Sequence, residues 1–226
     1  MTTALPVIVF DVNETLSDMS PMGERFSEIG VPAVLAKLWF ATLLRDGFAL
    51  TASGDNGSFA ALGAGVLRQL LSGLELDRGL DAAVDYVMGG LAGLGVHTDV
   101  PGGIRELAAA GFRLITLSNG SAQIAGKLLS KAGIRDEFEL LLSVEDAPAW
   151  KPARASYEYA AAAAGTPPAG MVLVAVHPWD IHGAARAGLR TAWLNRTGAA
   201  YPDYFEAPEF TVTALTDLPA VVAATH

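Results

Sequence analysis

The chain has 226 residues, 51% of them apolar, with 24 acidic against 15 basic side chains for a formal net charge of −9, and no cysteine. The length and apolar content suit one large domain or a core carrying a smaller insertion, and the missing cysteines exclude disulfides, thiolate nucleophiles and Cys-based metal sites. The acidic balance, with no basic cluster to offset it, argues against nucleic acid as a partner, and no apolar run is long enough to span a membrane. The first residues carry no basic segment ahead of an apolar one, as a secretory signal would, so a cytoplasmic protein is expected.

In chain order, the apolar run "VIVF" ends at Asp11. The next segment, Ser20 to about Thr98, shows only helical patterns, "VPAVLAKLWFATLLRDG", "FAALGAGVLRQLLSG" and "LDAAVDYVMGGLAGLG", with no convincing strand among them. β-rich runs then resume: "FRLITL" up to Ser118, "ELLLSV" to near Glu145, "MVLVAV" up to His177, then "TAWLN" and "FTVTAL". Between them, "GIRELAAAG", "AQIAGKLLSKAG", "ASYEYAAAAAG" and "DIHGAARAG" each close on Gly in the manner of a helix C-terminus. Short continuous apolar strands alternating with helices predict a parallel sheet covered on both faces. The expected fold is therefore α/β, a Rossmann-like parallel sheet over residues 1–19 and 99–226, with a helical cap domain, residues 20–98, inserted after the first strand.

In such sheets ligands gather beyond the C-terminal strand ends. The polar residues there are Asp11, Ser118 with Asn119, Lys151, and His177 with Asp180. Each has a plain structural reading. Asp11 could cap a helix, "SNGS" and His177-Pro178 could be turn chemistry, and Lys151 could be a solvated loop residue. Their order along successive strand ends favours a shared site.

Asp11 with Thr15, Ser118 with Asn119, Lys151-Pro152 and Asp180 resemble the four motifs of the haloacid dehalogenase superfamily, over essentially the whole chain. "LSNGS", "LLSVED", "WDIHGAARAGL" and "WLNRTG" are similar to its type II 2-haloacid dehalogenase branch. The resemblance implies an Asp11 nucleophile, with Lys151 holding its carboxylate ionised and Asp180 fixing Lys151. It also implies that Thr15 orients Asp11 or its loop. Ser118, Asn119 and the backbone of Val12 and Asn13 would bind the substrate, and Tyr157 would lie near the site. The substrate implied is a small anionic 2-halo carboxylate, with no cofactor and no metal, and relatives of this kind suggest a homodimer.

Asn13 bears on the choice of chemistry. Phosphatases of the superfamily use an acid at that position to protonate a leaving alkoxide, and they hold a magnesium ion against the charge of the phosphoryl group. An amide cannot be that acid. Displaced halide leaves as a stable anion and needs no proton, so Asn13 favours dehalogenation over the alternatives, a magnesium-dependent phosphatase or a non-catalytic binding protein on the same scaffold.

Three departures from the branch stand out. "VAVHPWD" replaces the more usual "SSNAWD", giving Ala175 and His177, and "DVNETL" replaces "DxYGTL", giving Glu14. A histidine titrating near neutrality can take a proton from water, so His177 is read as the base for ester hydrolysis and Glu14 as its orienting partner. The alternative is an exposed Glu14 with His177 packed under Trp179. Where an arginine usually follows Trp39 to receive halide stands Phe40, which predicts an apolar pocket of Trp39, Phe40, Phe59 and Trp179, or else a cap core containing the first two.

Overall fold

A computed structural model describes residues 5–223; residues 1–4 and 224–226, at the ends of the expected core segments, lie outside the described residues. Strand β1 (Val7–Phe10) is buried along its whole length and leads into the loop carrying Asp11. A two-residue strand, β2 (Ser17–Asp18), then opens a run of helices, α1 (Met22–Ser27), α2 (Leu35–Ser53), α3 (Phe59–Leu71) and α4 (Leu80–Ala92), which closes with β3 (Gly95–Val96). The chain continues through α5 (Val100–Ala109), β4 (Arg113–Ser118), α6 (Ala122–Lys131), β5 (Leu140–Ser143), α7 (Arg154–Ala164), β6 (Met171–Ala175) and α8 (Pro178–Ala187). β7 (Arg190–Leu194), β8 (Phe210–Val212) and α9 (Leu218–Ala223) complete it. No helix among the described residues is long and apolar enough to cross a membrane.

β1 and β4 to β8 form one sheet in the order β5-β4-β1-β6-β7-β8, every pair parallel. The α/β class expected from the sequence is what the chain adopts. Strand residues alternate between two cores, as the two-residue period of a strand requires. Ile8, Phe10, Leu114, Val172, Val174 and Leu194 face one layer. Val7, Val9, Ile115, Leu117, Leu173 and Trp193 face the other, which runs without a break into the α1–α4 helices. α7 and α8 end where the sequence places glycine: Gly165 and Gly188 adopt φ of 60° and 94°, a left-handed cap that costs other residues energy.

Two expectations need correction. The segment read as free of strands contains β3, which pairs antiparallel with β2, Ser17 opposite Val96 and Asp18 opposite Gly95. Two residues are too few to show a period. The later strands are also shorter than their apolar runs. β5 stops at Ser143, β6 at Ala175 and β8 at Val212, because each chain then turns to present polar groups at the sheet edge.

The sheet order reverses at β1, with β4 on one side and β6 on the other. A crevice forms at such a switch point beyond the strand ends. Asp11 sits at its centre.

Candidate active site

The Asp11 N–H still donates to Val174 O at 3.0 Å, so sheet pairing fixes the backbone under the carboxylate. The loop then folds back, with the N–H groups of Leu16 and Ser17 both donating to Val12 O at 2.9 Å. This returns Thr15 to its partner four residues earlier. Its Oγ1 donates to Asp11 Oδ2 at 2.6 Å and accepts from Val176 N–H at 3.1 Å. Thr15 therefore orients both the carboxylate and the loop, clipping the latter to the end of β6.

Lys151 is fully buried, and its Nζ donates to Asp11 Oδ1 at 2.9 Å and to Asp180 Oδ2 at 2.6 Å. A buried ammonium is tolerated only when paired in this way. Its backbone is also fixed: the Lys151 N–H donates to Asn119 Oδ1 at 3.0 Å, and Asn119 Nδ2 donates to Lys151 O at 3.3 Å. The Asn119 amide thus clasps the lysine peptide, a role the sequence reading did not assign to it. Tyr157, also fully buried, donates to Asp180 Oδ1 at 2.6 Å. Gly183 permits this contact, since a Cβ there would lie 2.6 Å from both the Tyr157 hydroxyl and Pro152 Cβ.

His177 follows β6 and bridges two carboxylates. Its Nδ1 lies 3.2 Å from Asp11 Oδ2 and its Nε2 lies 2.8 Å from Glu14 Oε2. Glu14 adopts φ of 61°, the left-handed region, which costs a side-chain-bearing residue about 1–2 kcal/mol. Glycine, which the related motif carries at this place, would adopt it freely. Strain that persists in a site motivates a functional reading. Here its effect is visible, because this backbone directs the Glu14 carboxylate to His177. The ring also stacks on Trp179, with centroids 5.0 Å apart, and faces Phe40 at 6.4 Å. His177 packs on Trp179 as one reading expected, and Glu14, half-buried and bonded to the ring, is not the merely exposed residue that reading assumed.

The charges interlock. Burial pushes the Asp11 carboxyl upward, but Lys151, His177 and Thr15 outweigh it and hold Asp11 well below the usual carboxylate range. Burial lowers Lys151, and the two aspartates more than restore it. Asp180 is raised by burial, with a further push from Asp11, against the pull of Lys151 and Tyr157. Burial also lowers His177, yet its hydrogen bonds to Asp11 and Glu14 and their charges raise it to about 9. In the free protein His177 is therefore an imidazolium that donates from both nitrogens. This corrects the expectation of a histidine titrating near neutrality, since that value assumes no anionic neighbours.

A small cavity of about 20 Å³ lies beside the loop that follows Asp11, lined by Val12, Asn13, Phe59, Ser118 and Gly120 among others. The Ser118 hydroxyl accepts the Gly120 N–H at 2.9 Å. Phe59 stacks on the buried Trp150 with an interplanar angle of 11° and centroids 6.0 Å apart, so a residue the sequence reading overlooked backs this aromatic wall from behind. Trp39 is not in this wall. Fully buried near Phe26, it donates from Nε1 to Gly63 O at 3.0 Å and belongs to the core of α1–α4.

A second, open cavity of about 730 Å³ is bordered by Glu14, Phe40, His97, His177 and Arg196. Two of these escaped the sequence reading. Arg196 grips Asp99 with two bonds of 2.8 Å and donates to Thr15 O at 3.0 Å. His97 lies 3.0 Å from Glu14 O. The motif "WLNRTG" carries the arginine, but nothing local in the chain indicates either contact.

The chain is 38% identical over 122 residues to the (S)-2-haloacid dehalogenase of Pseudomonas sp. (strain YL), a match covering 54% of this chain and 53% of the other, so it spans about half the length of that relative. It is 26% identical over 215 residues to the (S)-2-haloacid dehalogenase of Pseudomonas putida, covering 93% of each. The crystal structure of a dehalogenase with an intermediate complex superposes with a TM-score of 0.89 at 25% identity, covering 98% of both chains. The model of the haloacid dehalogenase-like hydrolases matches residues 5–188, most of the chain, and the chain belongs to that family.

Proposed function

We propose that the protein hydrolyses the carbon–halogen bond of short 2-halo carboxylic acids, giving 2-hydroxy acids through an ester on Asp11, without a metal. The observation that carries this reading is the environment of Asp11. Both its oxygens are hydrogen-bonded, to Lys151 on one side and to Thr15 and His177 on the other, and two cations keep it ionised. Two residues further on stands Asn13 instead of an acid that could protonate an alkoxide. The site is suited to a carboxylate nucleophile and a leaving group that needs no proton.

In the first step the Asp11 carboxylate forms a bond to C2 as the C–X bond breaks, and halide departs with the bonding pair. Lys151 holds the nucleophile, while Ser118 and the peptide N–H groups of Val12 and Asn13 bind the substrate carboxylate. Phe40, Phe59 and Trp179 enclose the rest. The ester is uncharged, so His177 now faces one carboxylate instead of two. Its Nδ1 proton passes to water and leaves with the halide as the acid formed in turnover. Glu14 keeps the Nε2 proton in place.

In the second step water bonds to the ester carbonyl carbon and gives one proton to His177 Nδ1. The bond from that carbon to the substrate oxygen breaks, the other water proton goes to the product hydroxyl, and Asp11 and imidazolium are restored. A dehalogenase 25% identical to this chain, solved with an intermediate complex, supports a course through an intermediate. On this reading α1–α4 act as the cap over the site. Exposed Val34, the residue that precedes α2, and Leu38, one turn further on, would supply an apolar face for a second copy.

The test is halide release from chloroacetate, fluoroacetate and each enantiomer of 2-chloropropionate, with a chelator present. Release that disappears in Asp11→Asn is expected, as is a substrate-derived mass increase on the Asp11 peptide in His177→Ala. No release from any of these acids, together with magnesium-dependent cleavage of an aryl phosphate, would overturn the reading.

A further inference from the structure

Glu14 can serve His177 only while its backbone stays left-handed, and the contacts that hold it there come from two places. Its own loop supplies one, the Glu14 N–H donating to Ser17 Oγ at 3.2 Å. The other comes from across the hinge. His97 immediately follows β3, the strand that returns from the α1–α4 helices, and its backbone N–H donates to Leu16 O at 3.0 Å. Its ring Nε2 lies 3.0 Å from Glu14 O. A carbonyl only accepts, so Nε2 carries the proton and donates. One half-buried residue thus touches both the tether of the helical insertion and the residue that holds the proposed base.

We propose that His97 is a positioning residue: its ring holds the Glu14 peptide in the conformation that aims the carboxylate at His177, and so ties the Glu14–His177 pair to the hinge of the helical insertion. The inference rests on the dehalogenase reading and on His177 as base for ester hydrolysis. His97 touches neither Asp11 nor the small cavity beside it. Its loss should therefore spare the first step, attack on C2, and slow the second, attack of water on the ester. Glutamine in its place carries an amide donor of similar reach and should restore much of the function.

The experiment follows both steps in the full-length protein with 2-chloropropionate, by rapid quench for halide and by mass for the ester on the Asp11 peptide. In His97→Ala the initial burst of halide should stay within about twofold of the unsubstituted protein, while ester accumulates and turnover falls about tenfold. His97→Gln should recover most of that loss. In a Glu14→Gln background the further change His97→Ala should have no additional effect, because His97 acts through Glu14. Should His97→Ala fail to fold, His97→Asn, whose amide falls short of Glu14 O, takes its place.

The proposal is overturned if turnover is unchanged, if burst and turnover fall together, if Gln is no better than Ala, or if the two substitutions act independently. A protein that releases no halide at all before substitution would instead refute the dehalogenase reading, and this proposal with it.

Discussion

Replacing Asp11 by Asn should change the charge of a different residue. Asn is uncharged and nearly isosteric with Asp, so Asp11→Asn imitates the electrostatics of the ester while leaving the loop intact. In the unsubstituted protein His177 holds its proton to about pH 9, against an ordinary 6.5. At the 3.2 Å separation of Nδ1 and Oδ2, a unit charge is worth about 5 kcal/mol at an effective dielectric of about 20. That is an upper bound equivalent to nearly four pH units. An Asn oxygen that still accepts the Nδ1–H, and relaxation around it, reduce the effect, and a fall of at least about one unit is expected. The chain has four histidines, so ring-labelled NMR titration resolves them, with His177→Gln giving the assignment. One histidine should titrate near 9 and move down in Asp11→Asn. A His177 that titrates at the same pH in both proteins would refute the claim that nucleophile charge controls the base.

Three further outcomes follow from the same geometry. Lys151→Met leaves Asp11 and Asp180 buried without their shared cation, which should cost about 3–5 kcal/mol in urea unfolding and abolish halide release. His177 is protonated more readily folded than unfolded, so its contribution is complete below pH 6.5 and is lost as pH rises through about 9. Unfolding free energy should fall across that window by up to about 3 kcal/mol, and the fall should vanish in His177→Gln. Trp39→Phe should cost about 1–2 kcal/mol of stability through the lost bond to Gly63 O and the lost packing, yet leave kcat/KM for chloroacetate within about twofold, because Trp39 lies in the helical core and not at the site.

How much of this was legible in the chain depended on whether the signal was local. β1, β4 and β6 are buried on both faces, so they stand out as continuous apolar runs, and the helices between them end on glycine as read. Asp11 and Thr15 are four residues apart and bond to each other across a tight loop, so the resemblance of this short motif to a known one was enough to suggest the pair. The hairpin of β2 and β3 was invisible because two residues have no period. Trp39 and Phe40 are neighbours on a helix and point about 100° apart. Which of them meets His177 depends on how α2 is rotated, and that is set by packing against α1 and α3. The Glu14–His177 contact could be suspected only because both residues replace others in related motifs. The charge on His177 could not be read at all, since it arises from carboxylates 163 and 166 positions away in the chain.

The central claim is that Asp11, and not water, attacks the substrate. One turnover with enzyme in excess over 2-chloropropionate, run in water labelled with oxygen-18, tests it directly. Attack by Asp11 predicts that the label enters the Asp11 carboxylate, found in its peptide by mass, while the lactate formed carries oxygen from the protein and is unlabelled. Labelled lactate with an unlabelled Asp11 peptide would mean that water displaces the halide directly, and would contradict the account.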